Sequence, residues 1–500
     1  MNNRYVIPYT FLRTKDPRPE YAAHIIQYKE QVKLRDKYSV PFTCLMTYDA
    51  LRDSEMSSLV KGSMDKKTDI GIWLELCREV VEKAGKKWRG KQEWEWTVEP
   101  GFLMAYSEHE KERIIDLIME EYHSLFGHFP KTIAAWLIDS YSMQYISEKY
   151  NPSAFVICRE QWAMDAYTLW GCPYYGGYYP SKNNMLCPAQ TQKEQINTPV
   201  FRAYVNDQIY CYYEHERTKY NKIDYNLFTQ EPAWMCGQNP EWVKWHYDSM
   251  FLNDNRGFLY TQIGQENSFQ WTAELEKALK YQYEFAHANK DKYGFEYITF
   301  AEMGEKFKET YDHTPSTCVY ALKDWANNGN KSVWYNNNRY RINVFSDSDR
   351  VWLRHLQLFD EIYRDVYLDE PCNDKMGGYD NLPIIDGVQF SDEGTQGGMF
   401  FGKGSIESVD RGIDGVVINV VAEGNNIKIK LSDNEICFEC ECEFNISFKY
   451  KEKCAFIENI NEKEIVFHNK TGVMYRVLIE CGLIKNNVIY SQKGNIIFKL

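Results

Sequence analysis

The chain has 500 residues, of which 44% are apolar, enough for two to four domains with full hydrophobic cores. Its 58 basic and 71 acidic residues give a net charge of −13 at pH 7, so a nucleic-acid or anionic-membrane partner is disfavoured. No apolar stretch approaches the roughly 18 residues that span a bilayer, and the N-terminal segment lacks the pattern of a signal peptide. We therefore expect a cytoplasmic protein whose 14 Cys are reduced thiols.

Aromatic residues are the most informative part of the composition. The chain contains 14 Trp, 38 Tyr and 26 Phe, together 16% of its residues. Tyr and Trp combine a flat apolar face with a polar group, which suits a cleft that stacks on sugar rings, although a Tyr-rich core would give the same count. Every Trp lies between Trp73 and Trp352, so the last hundred residues are expected to form a different kind of domain.

Short apolar runs alternate with helical patterns over the first 312 residues, which is typical of strand-helix units around a parallel sheet. We predict strands at 5–9, 42–48, 69–74, 133–138, 154–158, 200–205, 257–263 and 297–300. Helices are predicted at 19–37, 75–85, 107–126, 140–150 and 271–290. This pattern predicts an α/β fold, a distorted (β/α) barrel of seven or eight strands that forms a catalytic domain over 1–312.

The remaining residues are predicted to be rich in β-structure. Residues 313–404 are expected to form a mixed middle segment with short strands and one helix over about 348–368. Residues 405–500 alternate apolar and polar positions at 416–420, 427–431 and 436–442, with turn residues between them, which predicts an auxiliary antiparallel β-sandwich. Two long connections, 159–199 and 206–256, interrupt the barrel and are rich in Tyr, Gly, Pro or Trp; loops of such length tend to be functional.

Acidic side chains follow most of the predicted barrel strands. In a parallel barrel the catalytic groups sit just after the carboxyl ends of the strands. The acids in such positions are Asp49, Glu75, Asp139, Glu160, Asp207, Glu266 and Glu302. Any one of them is more often a helix cap, turn or surface residue, but several on one face can supply the two carboxylates that glycoside cleavage needs.

Asp139 and Glu266 are the strongest candidates within this set. Asp139 ends an apolar strand and precedes a helix, so a helix cap and a catalytic role both fit it. Glu266 lies in a polar tip that directly follows a strand. The candidate sugar-binding residues lie beside these acids and on the two long loops: Trp136, Gln161, Trp162, Asp165, Trp170, Tyr179, Lys182, Asn183, Trp234, Gln262, Gln265 and Asn267.

Signals for metals and cofactors are poor. The ten His include no His-x-x-x-His pair. Among the closely spaced Cys of one C-terminal strand, Cys440 and Cys442 share a face while Cys437 points to the other. The chain also lacks a phosphate-binding loop, a dinucleotide fingerprint and a serine nucleophile elbow, so we predict neither a metal nor a cofactor.

Several short motifs carry a resemblance to a known superfamily. They are PGFLMAY at 100–106, FGHFPK at 126–131, AWLIDS at 135–140, EKY at 148–150, CREQ at 158–161 and YPSKN at 179–183. Residues 1 to about 310 resemble the glycoside hydrolase/deacetylase superfamily of distorted β/α barrels. The segment 99–184 resembles an uncharacterised bacterial family of carbohydrate-active proteins within it.

The resemblance implies roles for two acids. Retaining amylases and glucanotransferases of the superfamily carry a Trp-Leu-Pro-Glu motif after the fourth strand, whose Glu is the nucleophile, and an acid after the seventh. Residues 136–139 resemble that motif with Ile for Pro and Asp for Glu. Asp139 is therefore the implied nucleophile and Glu266 the implied acid/base, with Glu160 or Asp49 as substitutes for Glu266.

The predicted function is that of a glycoside hydrolase acting on an oligosaccharide or polysaccharide. One alternative is a metal-dependent deacetylase, in which Asp49 would match the metal-binding Asp; Trp73 and Cys77 stand where that branch has His. A glycan-binding barrel without catalysis and a scaffold protein are the others. A carbohydrate is the expected partner, and the oligomeric state is left open.

Overall fold

A computed structural model describes residues 3–158, 176–205, 207–210, 212, 229–412 and 415–500. Five residues predicted for the site lie outside these described residues: Glu160, Gln161, Trp162, Asp165 and Trp170.

The N-terminal part is a curled parallel sheet with helices around it, as the sequence predicted. Its strands are β1 (Arg4–Leu12), β2 (Phe42–Met46), β3 (Thr68–Trp73), β4 (Thr132–Ala135), β5 (Ala154–Ile157), β6 (Val200–Arg202), β7 (Leu259–Ile263) and β8 (Glu296–Tyr297). Their order is β6-β5-β4-β3-β2-β1-β7, with β8 paired to β1, and all pairs are parallel.

The helices lie between these strands. They are α1 (Tyr21–Tyr38), α2 (Tyr48–Arg52), α3 (Ser54–Ser63), α4 (Arg78–Lys83), α5 (Val98–Gly101), α6 (Glu108–Phe126), α7 (Ser140–Tyr150), α8 (Met235–Gln238), α9 (Pro240–Phe251), α10 (Ala273–Tyr293) and α11 (Phe300–Thr310), with short 3-10 helices at Leu103–Ala105 and Val366–Leu368. Helix α6 shows how the sequence fixes these bounds: Ser107 and Glu110 form a capping box, and Gly127 ends the helix at φ 78°. None of the helices in the described part combines the length and hydropathy needed to cross a membrane.

Side chains connect the two edge strands of the sheet, β6 and β7. The amide of Arg202 donates to the Tyr260 hydroxyl at 2.8 Å, and the amide of Val205 donates to Gln262 Oε1 at 2.9 Å. Gln262 Nε2 also donates to the Arg202 carbonyl. Gln262, a predicted sugar-binding residue, is thus a buried link across the seam of the barrel, and both ends of its amide are already bonded.

Antiparallel strands follow the barrel. They are β9 (Thr317–Ala321), β10 (Lys331–Asn336), β11 (Tyr340–Ser346), β12 (Arg350–Leu358), β13 (Leu382–Asp386), β14 (Gly398–Arg411), β15 (Gly415–Ala422), β16 (Asn425–Ser432), β17 (Glu435–Glu439), β18 (Asn445–Lys449), β19 (Ile457–Ile460), β20 (Glu464–His468), β21 (Met474–Cys481), β22 (Leu483–Lys485), β23 (Val488–Tyr490) and β24 (Asn495–Lys499). The predicted boundary at 404 falls within β14, which pairs with β12 through its first half and with β15 through its second.

The helix predicted over 348–368 is wrong, because residues 350–358 of that segment form strand β12 and its only helical residues are the 3-10 helix at 366–368. All of β12 except its two end residues is buried, so both of its faces are covered. A strand covered on both faces shows no period of two, and its apolar residues then imitate helical spacing.

Candidate functional site

Arg13 organises the carboxyl-end face of the barrel. It follows β1 directly and is 1% exposed. Its guanidinium donates to both oxygens of Glu75, each at 2.5 Å, and its Nη1 also contacts Glu266 and Ser268. Glu75 follows β3 and Glu266 follows β7, so one cation joins the ends of three strands. The two buried carboxylates thus share one guanidinium.

Arg13 is held in place from several directions. Its guanidinium carbon lies 4.7 Å from the Phe11 ring centre and 4.9 Å from that of Trp94. Its backbone amide donates to Asn267 Oδ1 at 2.8 Å, and Asn267 Nδ2 donates back to the Arg13 carbonyl at 2.8 Å. The side chain of Asn267, a predicted sugar-binding residue, therefore fixes the loop that carries Arg13.

Glu266 has the environment of a general acid. Glu266 is 5% exposed. One of its carboxylate oxygens accepts a hydrogen bond from Arg13, and the other accepts none from the described residues. Burial raises the pKa of Glu266 above its ordinary value, and the charge of Glu75 adds to this, whereas Arg13 and Arg18 oppose it. A raised pKa keeps a carboxyl protonated closer to neutral pH, as an acid catalyst requires.

Glu231 is a second acid beside Glu266. It lies on the connection between β6 and β7 and is 5% exposed. Gln265 Nε2 donates to one of its oxygens, and Trp234 Nε1 donates to the other at 2.8 Å. Gln265, which precedes Glu266 in the chain, thus helps to position the Glu231 carboxylate. We call Arg13, Glu75, Glu231 and Glu266 the Glu266 cluster.

The charges of Glu231 and Glu266 affect the pKa of the same two tyrosines, Tyr9 and Tyr204. Burial raises the pKa of the Tyr9 and Tyr204 hydroxyls well above the ordinary value, and the charges of Glu231 and Glu266 raise both further. The two rings lie 5.7 Å apart. Glu231 and Glu266 therefore both lie near this pair of tyrosines.

Aromatic rings line the region around this tyrosine pair. Tyr204 stacks on Trp136 with ring centres 5.8 Å apart, and Trp136 meets Trp73 edge-on at 5.5 Å. Trp73 stacks on Phe11 at 3.7 Å. Trp136 is partly exposed whereas Trp73 and Phe11 are buried, so Trp136 is the member of this group that can offer a face to a ligand.

Asp139 lies in a different setting. It is fully buried and caps α7: its Oδ1 accepts from the Ser142 amide at 3.0 Å, and its Oδ2 accepts from the Ser142 hydroxyl at 2.8 Å. Lys111 of α6, itself 2% exposed, donates to Oδ1 at 2.9 Å. Both oxygens of the predicted nucleophile are thus engaged in holding α6, α7 and the end of β4 together.

Asp365 faces this pair from the segment that follows β12. Its Oδ1 accepts from the Tyr367 amide at 3.0 Å, while its Oδ2 is buried without a hydrogen-bond partner among the described residues. Burial raises the pKa of Asp365 to about 7, and the charge of Asp139 adds to the effect while Lys111 opposes it. We call Lys111, Asp139 and Asp365 the Asp139 cluster.

The described residues do not fit the metal of the superfamily's deacetylases. Asp49 Oδ2 accepts from the amides of Thr14 and Lys15 at 2.7 and 2.9 Å, while its Oδ1 is buried with no hydrogen-bond partner within the described ranges. That oxygen could face an ion, but Trp73, which stands in the sequence where the deacetylases have a His, stacks on Phe11 and offers no metal ligand. No group of three His, Cys, Asp or Glu in the described part of the chain could hold a metal.

The other predicted sugar-binding residues within the described ranges lie in different settings. Trp234 is partly exposed at the mouth beside Glu231. Tyr179 is instead buried near the start of β6, where its hydroxyl donates to the Tyr311 carbonyl at 2.8 Å. Lys182 Nζ donates to the Lys193 carbonyl, and Asn183 Nδ2 donates to Glu194 and to the Glu361 carbonyl. In the described structure these three residues hold segments of the chain together.

Four residues of the two clusters were missed from the sequence, and one of them, Asp365, lies in the segment that was wrongly predicted to be a helix. Arg13 was overlooked because the first strand was predicted to end at Tyr9, whereas β1 runs to Leu12. Lys111 shares the buried face of α6 with Ile114, Ile115 and Ile118, and a Lys at an apolar position is a signal that could have been used. Glu231 lies in a long connection without a periodic pattern, so its position relative to a strand end was not predictable.

Comparison with known proteins agrees with the fold. No family model matches the chain, and no curated protein does. A structure from Parabacteroides distasonis described as a glycoside hydrolase/deacetylase superposes with a TM-score of 0.55 at 16% identity, covering 75% of this chain and 89% of that one.

Two more distant structures are described as polysaccharide deacetylases. The one from Pseudomonas aeruginosa PAO1 gives a TM-score of 0.40 at 9% identity over 62% of this chain and 92% of its own. The one from Mycobacterium smegmatis gives 0.38 at 10% identity over 62% and 91%. The likeness to the Parabacteroides distasonis structure shows that the barrel of this chain shares the fold of that protein.

Proposed function

We propose that the chain is a carbohydrate-active hydrolase and, within that class, a glycoside hydrolase that uses Glu266 as its general acid. The observation that carries this proposal is the state of Glu266: a buried carboxyl after a barrel strand, with a raised pKa and one oxygen that no described residue engages. A protonated carboxyl so placed can donate to the oxygen of a scissile glycosidic bond.

Glu231 is the second carboxylate of the proposal. It faces the same tyrosine pair as Glu266, and two N–H donors fix its orientation. Its role would be to stabilise positive charge on the sugar ring or to activate a water molecule. We prefer it to Asp139, since both oxygens of Asp139 already accept hydrogen bonds and one of them pairs with Lys111.

A partly exposed aromatic surface beside the acids supports a sugar substrate. Trp136 stacks on Tyr204 at the barrel mouth, and Trp234 donates a hydrogen bond to Glu231. Apolar sugar faces stack on such rings while the hydroxyl groups reach nearby amides and carboxylates.

The test is hydrolysis across a panel of oligosaccharides, with product anomers followed by NMR. Wild-type protein should cleave at least one member, and Glu266→Gln should lose about 100-fold or more of kcat/KM, the range for removal of a general acid. Glu274→Gln, an exposed acid at the start of α10, is the matched control and should behave as wild type. No cleavage of any member by wild-type protein would leave a glycan-binding barrel as the better description.

The deacetylase alternative rests on Asp49, whose Oδ1 is buried without a partner within the described ranges. Its metal would need further donors from outside the described residues. Acetate release from acetylated oligosaccharides that is abolished by a chelator and restored by a divalent metal would favour this alternative over the glycosidase.

A further inference from the structure

A polar cleft of about 580 Å³ lies at the opposite end of the barrel from Glu266. Its walls come from the residues before β7, the residues after α11 and two hairpin turns of the antiparallel region. They are Arg256, Gly257, Tyr311, His313, Thr314, Pro315, Ser316, Asn337, Asn338, Arg339, Asp433 and Asn434. We call it the amino-end cleft, because residues that precede a barrel strand lie at the amino ends of the strands.

Hydrogen bonds hold the walls of this cleft together. Asn337 is 2% exposed; its Oδ1 accepts from the amides of Arg339 and Tyr340 at 2.8 Å, and its Nδ2 donates to the carbonyls of Ser432 and Asp433 at 3.2 and 3.3 Å. One buried amide thus joins the β10–β11 turn to the β16–β17 turn. The backbones of Arg256 and Cys318 exchange bonds at 2.9 and 3.0 Å and fix the barrel side.

Several polar side chains of the cleft are left for a ligand. Those of Asn338, Arg339 and Asn434 make no hydrogen bond to another described residue, although the Asn337 turn next to them is fully bonded. Amide and guanidinium groups beside a tyrosine ring are the groups that recognise sugar hydroxyls and a sugar face. The volume lies within the range of small-molecule sites.

We propose that the amino-end cleft is a second, non-catalytic carbohydrate-binding site that holds a neutral oligosaccharide segment. The choice of a sugar rests on the proposed function. The cleft lies at the far end of the barrel, so a sugar segment bound there does not reach Glu266. Its role would be to hold the enzyme on a polysaccharide.

Isothermal titration of Glu266→Gln/Trp136→Ala protein with cellotriose, maltotriose, xylotriose and chitotriose tests the proposal, since this protein should not turn the probes over and lacks the ring expected to bind sugar at the mouth. At least one probe should bind. Adding Asn338→Ala and Asn434→Ala should weaken that binding at least ten-fold, because both amides that offer free donors and acceptors are removed. The exposed pair Asn373→Ala and Asn426→Ala is the matched control and should leave binding unchanged.

Failure of all four probes to bind would overturn the proposal, as would unchanged binding in the Asn338→Ala/Asn434→Ala protein. The two proposals fail separately. If the cleft variant loses binding but wild-type protein hydrolyses nothing, the amino-end cleft stands and the glycosidase assignment falls. If hydrolysis depends on Glu266 but the cleft variant binds normally, the reverse holds.

Discussion

The Glu266 cluster and the Asp139 cluster both place a buried acid after a barrel strand and pair it with a buried cation. They differ in what remains available. Asp139 accepts from Lys111 and twice from Ser142, so each of its oxygens is used inside the protein. One carboxylate oxygen of Glu266 accepts a hydrogen bond from Arg13, and the other accepts none from the described residues. Position after a strand therefore identifies candidates, and the hydrogen bonds of each oxygen separate a structural acid from one that can act on a ligand.

Removing the cation of the Asp139 cluster should have the largest effect on stability. Lys111→Met leaves the Asp139 carboxylate buried without its counter-ion, and loss of one partner from a buried pair costs about 3 to 5 kcal/mol. Lys149→Met is the control, since Lys149 forms an exposed pair with Asp116 and such pairs contribute at most about 1 kcal/mol. Denaturant unfolding of both variants measures the difference. Equally small losses of unfolding free energy in both variants would mean that the Asp139 cluster does not stabilise the barrel.

The pH dependence of stability should come in part from Asp365. Its pKa is raised from 3.8 to about 7 in the folded chain, so its contribution to stability is fully present below about pH 4 and is lost as the pH rises through about 7. Asp365→Asn cannot ionise and should therefore be more stable than wild type at pH 8, with the gap closing towards pH 4. Unfolding curves at the two pH values give the gap; a gap of the same size at both would contradict this assignment.

Trp136 should show the smallest effect, confined to ligand binding. Trp136→Ala removes the partly exposed ring beside Tyr204 and should weaken binding of a cleaved oligosaccharide by about 1 to 3 kcal/mol, in the range for burying a large side chain. KM should rise more than kcat falls, because the ring binds the sugar without taking part in proton transfer. The buried Trp73 cannot serve as the control, so Trp96, which is 41% exposed, replaces it; Trp96→Ala should leave KM unchanged.

Much of the barrel was predictable from local patterns. The helices predicted at 107–126 and 140–150 agree closely with α6 and α7, and Asp139 caps α7 as one interpretation of the sequence predicted. The strand β12 was not predicted, because both of its faces are covered and its residues therefore do not alternate between apolar and polar. Its polar residues Arg354 and His355 are also buried in the sheet. Burial by distant segments decides such a strand, and no local pattern records it.

The candidate site was predictable only in part. Glu266 was identified because a polar tip follows an apolar strand. Its relation to Arg13 depends on β1 and β7 being neighbours, which are separated by some 250 residues in the chain. Gln265 and Asn267 were predicted to read sugar hydroxyls, yet their amides bond Glu231 and the Arg13 loop. Residue type indicated polar chemistry at this tip, and only the packing shows which groups face one another.

The most direct test of the account removes each acid in a protein that still folds. Lys111→Met combined with Asp139→Asn deletes both charges of the pair, keeps an Asn that can cap α7, and should cost far less stability than Lys111→Met alone. With any oligosaccharide that wild-type protein cleaves, we predict that kcat/KM of this double variant stays within about ten-fold of wild type, while Glu266→Gln loses about 100-fold or more. A folded double variant without activity, beside an active Glu266→Gln, would contradict the account.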